Sequence, residues 1–240
     1  MTTSPSAFGT SGWRGIIGDD FTFSRVRLAV EAIAGHVLSQ NKKPTVLVAH
    51  DTRFFSEEFA RTAAIVLTEH GIRPLVCRGA TPTPTVAFEV RRAKLDGAVN
   101  FTASHNPAEY HGLKFSDGSG GPATKEITKD IEARAEKLAA RGNHSSSAFP
   151  SPHQGMEFEW AEPRAAYLKR LGELVRFDTI RGTSAQPGPR IVFDALHGCG
   201  AGYLDRVLAE HGITAQTLRA ERDVLFDGTG PDVSESNLAP

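Results

Sequence analysis

Short apolar runs rich in β-branched residues alternate with stretches of helical period along residues 24–138, and few folds accommodate that order. Thr45-Val-Leu-Val-Ala49 reads as a buried strand. Val26, Val30, Ile33 and Val37 before it recur at i, i+4, i+7 and i+11, one stripe of an amphipathic helix with Ser24 as its expected N-cap. Ser56-Glu-Glu caps the next expected helix and places acids in its first turn; Gly71 suits the position just past its end. Strand is then expected over 74–78, helix over 84–92, strand over 97–101, and a short strand at Gly112-Leu-Lys-Phe115 beyond an irregular loop. Ile127, Ile131, Ala135 and Leu138 mark a closing helix. The expected fold class is α/β: a layered α/β/α domain with a mostly parallel mixed sheet.

Residues 142–155 turn to Ser, His, Pro and Gly without period, and read as a linker between a first domain over 1–141 and a second unit over 156–240. The second unit offers a helix over 164–175, a strand at Arg190-Ile-Val-Phe-Asp194 and a helix over 202–210. Its helix ends on Val207-Leu-Ala-Glu-His-Gly-Ile213, which repeats Val66-Leu-Thr-Glu-His-Gly-Ile72 at six of seven positions. A duplicated β-α-β unit accounts for this better than chance, although the second copy is short and is expected to be incomplete.

Composition narrows the function classes. The 240 residues carry 27 basic and 28 acidic side chains, so the basic excess of a nucleic-acid footprint is missing. No apolar run approaches the ~18 residues of a membrane span, and the N-terminus shows neither the basic nor the apolar region of a secretory signal. A cytoplasmic protein with no nucleic-acid or membrane partner is the expectation. Cys77 and Cys199 stand far apart in apolar surroundings and read as small buried hydrophobes. The Gly198-x-Gly-x-Gly202 run fails the dinucleotide fingerprint because Tyr203 stands in the last glycine's place, and reads as a strand-to-helix turn.

The densest polar constellation is Thr102-Ala-Ser-His-Asn-Pro107, directly after an expected strand. Loops at strand C-termini line the ligand crevice of open α/β sheets, so Ser104 stands where a nucleophile is useful. Ser104 beside His105 does not make a nucleophile–base pair, since neighbouring side chains need not converge. Lys114 lies close enough in sequence to reach back to that loop. Three glycines in Phe8-Gly-Thr-Ser-Gly-Trp-Arg-Gly15 leave the backbone free for close approach to a ligand.

Taken together, Phe8-Gly-Thr-Ser-Gly-Trp-Arg-Gly15, Ala49-His-Asp-Thr-Arg53, Thr81-Pro-Thr-Pro84, Thr102-Ala-Ser-His-Asn-Pro107 and Gly112-Leu-Lys-Phe115 resemble the α-D-phosphohexomutase superfamily. The resemblance continues through Val192-Phe-Asp-Ala-Leu-His-Gly-Cys-Gly200 to Gly230-Pro-Asp-Val-Ser234. It implies an isomerase that moves phosphate between the 1- and 6-positions of a hexose through a phosphoserine and a bisphosphate intermediate. Ser104 aligns with the serine that carries the phosphate and, through it, touches Mg²⁺. Arg14 would neutralise phosphoryl charge, and Lys114 and His105 would assist proton transfer, Lys114 being the stronger candidate. Thr10, Ser11, Arg14 and Lys114 would contact the hexose phosphate, with hexose 1,6-bisphosphate as activator.

The family's Asp-Gly-Asp-x-Asp-Arg metal loop does not occur; Asp227 and Asp232 lie in the stretch that would precede it. Ser104 phosphate alone would hold Mg²⁺ poorly, because that ion wants a near-octahedral shell of oxygens. The expectation is therefore impaired or absent turnover by this chain alone. The alternative is a non-catalytic remnant that binds sugar phosphate or a partner chain. An incomplete second unit would expose apolar surface suited to self-association or to a complementing chain.

Overall fold

The structure is a computed structural model that describes residues 12–141, 157–182, 188–228 and 230–238. The expected linker falls outside these residues, as do Thr10 and Ser11. Strand β1 (Trp13–Ile16) leads into α1 (Phe23–Gln40), β2 (Thr45–His50), α2 (Ser56–Glu69), β3 (Arg73–Cys77), α3 (Thr83–Ala93), β4 (Gly97–Phe101), β5 (Tyr110–Asp117) and α4 (Lys125–Ala140). After them come β6 (Glu159–Ala161), α5 (Arg164–Leu174), α6 (Phe177–Arg181), β7 (Ile191–Asp194), α7 (Leu204–Glu210), β8 (Ala215–Leu218) and α8 (Glu235–Leu238).

Six strands form one mixed sheet in the order β1-β5-β4-β2-β3-β6. The pairs β2–β3, β2–β4 and β3–β6 are parallel, whereas β5 runs antiparallel to both β1 and β4. Alternation along each strand separates two cores. Val46, Val48, Val99, Phe101, Leu113 and Phe115 face α1, α2 and α4, against Ile33, Phe59, Leu67 and Ile131. On the other face Leu47, Ala49 and Ala98 pack on Val86 and Val90 of α3. Helices on both faces leave β2 and β4 buried throughout their apolar runs, as parallel central strands require. The layered α/β/α class read from the sequence is the observed one.

Several local expectations need correction. Thr22, not Ser24, caps α1: its side chain accepts from the Arg25 N–H at 3.4 Å, and Ser24 already lies inside the helix. Ser56 is the first residue of α2 rather than its cap; Phe55 takes that place with φ 62°, and the Ser56 hydroxyl turns into the protein. Residues 13–16 form a strand although that stretch reads as turn-rich, because β5 pairs with it from far along the chain. For the same reason β5 is longer than Gly112–Phe115. Cys77 is buried, but Cys199 is only half-buried.

Strand β6 adds to the edge of the six-stranded sheet, so residues past the expected linker complete the first layer. Farther on, β7 and β8 pair in parallel across α7, over a small core of Leu168, Phe177, Tyr203, Val207, Leu208 and Ile213. The 198–202 run makes the turn from β7 to α7. The repeated sequence has a physical content. In both copies the His N–H donates to the Val and Leu carbonyls, the Gly N–H to the residue after Leu, and the Ile N–H back to Leu. Gly71 and Gly212 supply the left-handed φ of 74° and 70° that this cap demands. Val192 and Leu218 remain exposed on the two-stranded sheet. Among the described residues no helix is long and apolar enough to cross a membrane.

Candidate functional site

The loops after β2, β3 and β4 meet at the strand C-termini: the Asp51 N–H donates to the Phe101 carbonyl and the Thr81 N–H to that of His50. Ser104 lies on the loop from β4 to β5, exposed to solvent. Its φ of 58° is left-handed, a conformation that a non-glycine residue keeps only when its surroundings enforce it. The enforcing groups are identifiable. The Ser104 N–H donates to Thr102 Oγ1 at 3.1 Å, and buried Ala103 anchors the loop from below.

Arg53 supplies the larger constraint. Its guanidinium, fully buried, donates from Nη2 to the carbonyls of Ser104 (2.8 Å) and Asn106 (2.6 Å), and from Nη1 to those of Pro107 (2.7 Å) and Tyr110 (3.0 Å). A planar fork with two pairs of parallel donors suits four carbonyls in one turn; a lysine ammonium would not. Burial opposes the Arg53 charge, and Asp51, with Oδ2 at 3.3 Å from Nε, offsets that. Asp51 is itself held: its Oδ1 accepts the Arg53 N–H and the Ser56 hydroxyl.

Arg14 and Lys114 stand on the α3 side of the sheet. Arg14 pairs in register with Gly112, and Lys114 with Asn100. A Cβ at Gly112 would lie 2.5 Å from the Thr102 carbonyl oxygen and 3.2 Å from Arg14 Cγ, so glycine lets these groups close up. Arg14 Nη1 donates to Asn106 Oδ1 at 2.6 Å, which brings a second cation to the serine loop, while its buried Nε has no hydrogen-bond partner among the described residues. Lys114 is half-buried. Burial first, and the positive charge of Arg14 second, push its pKa below the ordinary lysine value, against the pull of Asp51. A lysine moved in that direction gives and takes protons more readily near neutral pH. A cavity of about 400 Å³ opens against Arg14, Thr83, Asn100 and Lys114.

His105 is exposed, and its Nδ1 lies 3.5 Å from Ser104 Oγ, at the outer limit of a hydrogen bond. Neighbouring side chains on this loop thus do not form a tight nucleophile–base pair. The structure brings Arg14 onto the loop of Ser104 and His105, with Lys114 beside Arg14.

A family model described as "Phosphoglucomutase/phosphomannomutase, alpha/beta/alpha domain I" matches residues 5–142, which include every residue of this constellation. The chain belongs to the phosphoglucomutase/phosphomannomutase family. A phosphoglucomutase from Staphylococcus epidermidis is 30% identical over 210 residues, covering 85% of this chain and 37% of that protein. A phosphoglucosamine mutase from Leuconostoc mesenteroides is 31% identical over 232 residues, covering 93% of this chain and 48% of its own. Among solved structures, a Thermus thermophilus protein assigned as a phosphomannomutase superposes with a TM-score of 0.86 at 33% identity, over 99% of this chain and 51% of that one. The chain thus spans about half the length, or less, of these family members.

Within the family's domain I fold, sequence reasoning assigned no role to Arg53, Asn106, Asp51 or Thr102. Arg53 closes the Ala49–Arg53 segment, yet no pattern announces that a charged side chain after a strand will be fully buried. The described residues do not by themselves fit a Mg²⁺ ion. They hold no group of three or more His, Cys, Asp or Glu side chains able to bind a metal, and Asp51, the acid beside the loop, is already engaged by Arg53 and Ser56. An octahedral shell needs more oxygens than one serine phosphate provides.

Proposed function

We propose that this chain carries the phosphoserine site of a hexose-phosphate mutase. The observation that carries the reading is the exposed Ser104, held in a left-handed conformation by Arg53, on a loop that Arg14 also engages through Asn106. Ser104 Oγ attacks the phosphorus of a hexose bisphosphate, the bond from phosphorus to the sugar oxygen breaks, and the serine proton leaves as the sugar oxygen gains one. In the opposite sense the sugar hydroxyl takes the phosphoryl group from Ser104. A sugar that reorients between the two transfers emerges with its phosphate moved between the 1- and 6-positions.

Phosphoryl transfer depends chiefly on positioning and on charge stabilisation. Arg14 supplies positive charge and bidentate capacity toward phosphate oxygens. Lys114, its pKa lowered, relays the sugar hydroxyl proton, with His105 as an auxiliary. Thr10 and Ser11 complete the phosphate contacts in this reading. Mg²⁺ at the Ser104 phosphate would require carboxylates that the described residues do not bring to the loop. The names of the relatives support a hexose monophosphate as substrate class.

The test is intact mass of the purified chain before and after incubation with hexose 1,6-bisphosphate and Mg²⁺, followed by peptide mapping. One phosphoryl group on the peptide bearing Ser104 is expected, and none in Ser104→Ala. A label that persists in that variant would remove Ser104 from the mechanism. Sugar-phosphate binding without any label on the unmodified chain would instead favour the binding-only alternative.

A further inference from the structure

Arg53 is not held by its own domain alone. The stretch that follows β8 from Arg219 crosses to the first domain and packs on the turn that carries Arg53. Its root is fixed in the second unit: the Arg219 guanidinium binds the Asp194 carboxylate, and His197 Nδ1 lies 2.9 Å from the Glu221 carbonyl oxygen. Its middle reaches the start of α2. Arg222 Nε donates to the Thr52 carbonyl at 2.9 Å and Nη2 to the Arg53 carbonyl at 3.0 Å, while Nη1 and Nη2 clamp both oxygens of Glu57 at 2.6 and 2.9 Å. Buried Phe226 lays its ring 5.1 Å from the Arg53 guanidinium carbon, so one face of that cation meets an aromatic ring instead of water. Even Gly230 comes near the loop: a Cβ there would lie 3.9 Å from Pro107 Cα.

We infer that residues 219–228 are a brace through which the second unit holds the nucleophile loop, with Arg222 and Phe226 acting as positioning residues for Ser104 by way of Arg53. Arg222 grips the main chain of residues 52 and 53 from outside, Phe226 covers the guanidinium, and the guanidinium binds the loop carbonyls from within. Desolvation by Phe226 strengthens each of those four hydrogen bonds, because water no longer competes for the donors. A shift of the second unit would therefore reach Ser104 as a change in loop order, without the brace touching substrate. The inference rests on the Ser104 reading for its catalytic meaning, but the mechanical link is measurable without catalysis.

The experiment is amide hydrogen exchange on the full chain and on Arg222→Ala and Phe226→Ala, with Glu57→Gln as a milder variant that keeps the Arg222 bonds to the Thr52 and Arg53 carbonyls. The reporting amides are Ser104, Asn106 and Tyr110, each hydrogen-bonded within the loop. Exchange over 103–110 is expected to quicken about tenfold or more in the two alanine variants and less in Glu57→Gln, while β2 and β4 keep their protection. Equal acceleration of loop and strands would show that the segment serves stability alone, and unchanged loop exchange would show that it bears no load; either result overturns the inference. The rate of Ser104 labelling by hexose 1,6-bisphosphate, read on the same samples, is expected to fall about tenfold in the alanine variants. If the unmodified chain takes no label, the phosphoserine reading fails, and the exchange data still decide the brace.

Discussion

Replacing Arg53 with methionine is expected to cost about 3–5 kcal/mol of folding stability, the range for removing one partner of a buried charge pair. Methionine fills much of the arginine stem's volume, so little of this loss would be cavity. What disappears is the set of donors to Ser104, Asn106, Pro107 and Tyr110, and the positive charge facing Asp51. These part-buried carbonyls, left without donors, each carry up to about 1–3 kcal/mol of desolvation penalty, which the loop can escape by opening to water. Opening the loop releases Ser104 from its φ of 58°, so the variant should lose phosphoserine formation along with stability. Urea unfolding followed by circular dichroism reads the first effect, and the mass assay the second. Arg53→Lys should recover little, because one ammonium cannot serve four carbonyls in a planar fork. A stability loss below about 1 kcal/mol in Arg53→Met would mean that the loop stands without its clamp.

Stability should also fall as pH drops from about 6.5 to 4, and His111 is the cause. This histidine is fully buried beside Phe21 and Phe59, and burial holds its pKa at about 4. The Asp51 charge pulls it upward, while Arg53 and His50 push the other way. The hydrogen bonds around it assign the neutral tautomer. The Gly112 N–H donates to Nδ1 at 2.9 Å, which leaves the proton on Nε2; Nε2–H then donates to Ser56 Oγ at 3.0 Å, and Ser56 donates to Asp51 Oδ1 at 2.8 Å.

A protonated ring would lose the contact from the Gly112 N–H, with only the longer approach of Nδ1 to the Gly112 carbonyl at 3.3 Å in its place, and would carry its charge beside Phe21 and Phe59. Below the ordinary histidine pKa of about 6.5 the unfolded chain takes up a proton that the folded chain refuses. Its contribution is therefore complete above that pH and declines toward the folded value near 4, a span of about 3 kcal/mol by linkage. Denaturation midpoints at pH 7, 5.5 and 4.5 check this against His111→Gln, which cannot titrate. The variant should start lower at pH 7 and lose about 2 kcal/mol less between pH 7 and 4.5. Parallel curves for the two proteins would assign the acid sensitivity to other groups.

How much of this is legible in the sequence differs by residue, for physical reasons. The α1 stripe is legible because helical period and burial are local facts: Val26, Val30, Ile33 and Val37 all reach the core. So is the placement of Thr102–Pro107, since the short stretch Gly97-Ala-Val-Asn-Phe101 gives way there to polar residues, which marks a strand end. The helix caps read one or two positions off because several neighbouring hydroxyls compete for one role, and packing selects among them. Ser56 shows the selection: its hydroxyl faces the buried Asp51–His111 pair, and the backbone of Phe55 takes the cap. Strand β1 is not legible, because its partner β5 lies about a hundred residues away and its own pattern is short and rich in glycine.

Composition, period and motif order thus suffice for the layered α/β class, for the position of the Ser104 loop and for the family. They rest on short-range periodicity and on residue types that every copy of the chain carries. The Arg53 clamp, the His111–Ser56–Asp51 relay and the brace from the second unit belong to the folded molecule. Each joins side chains from separate elements, some more than a hundred residues apart. The energy of each comes from excluding water around polar groups, and only folding establishes that exclusion.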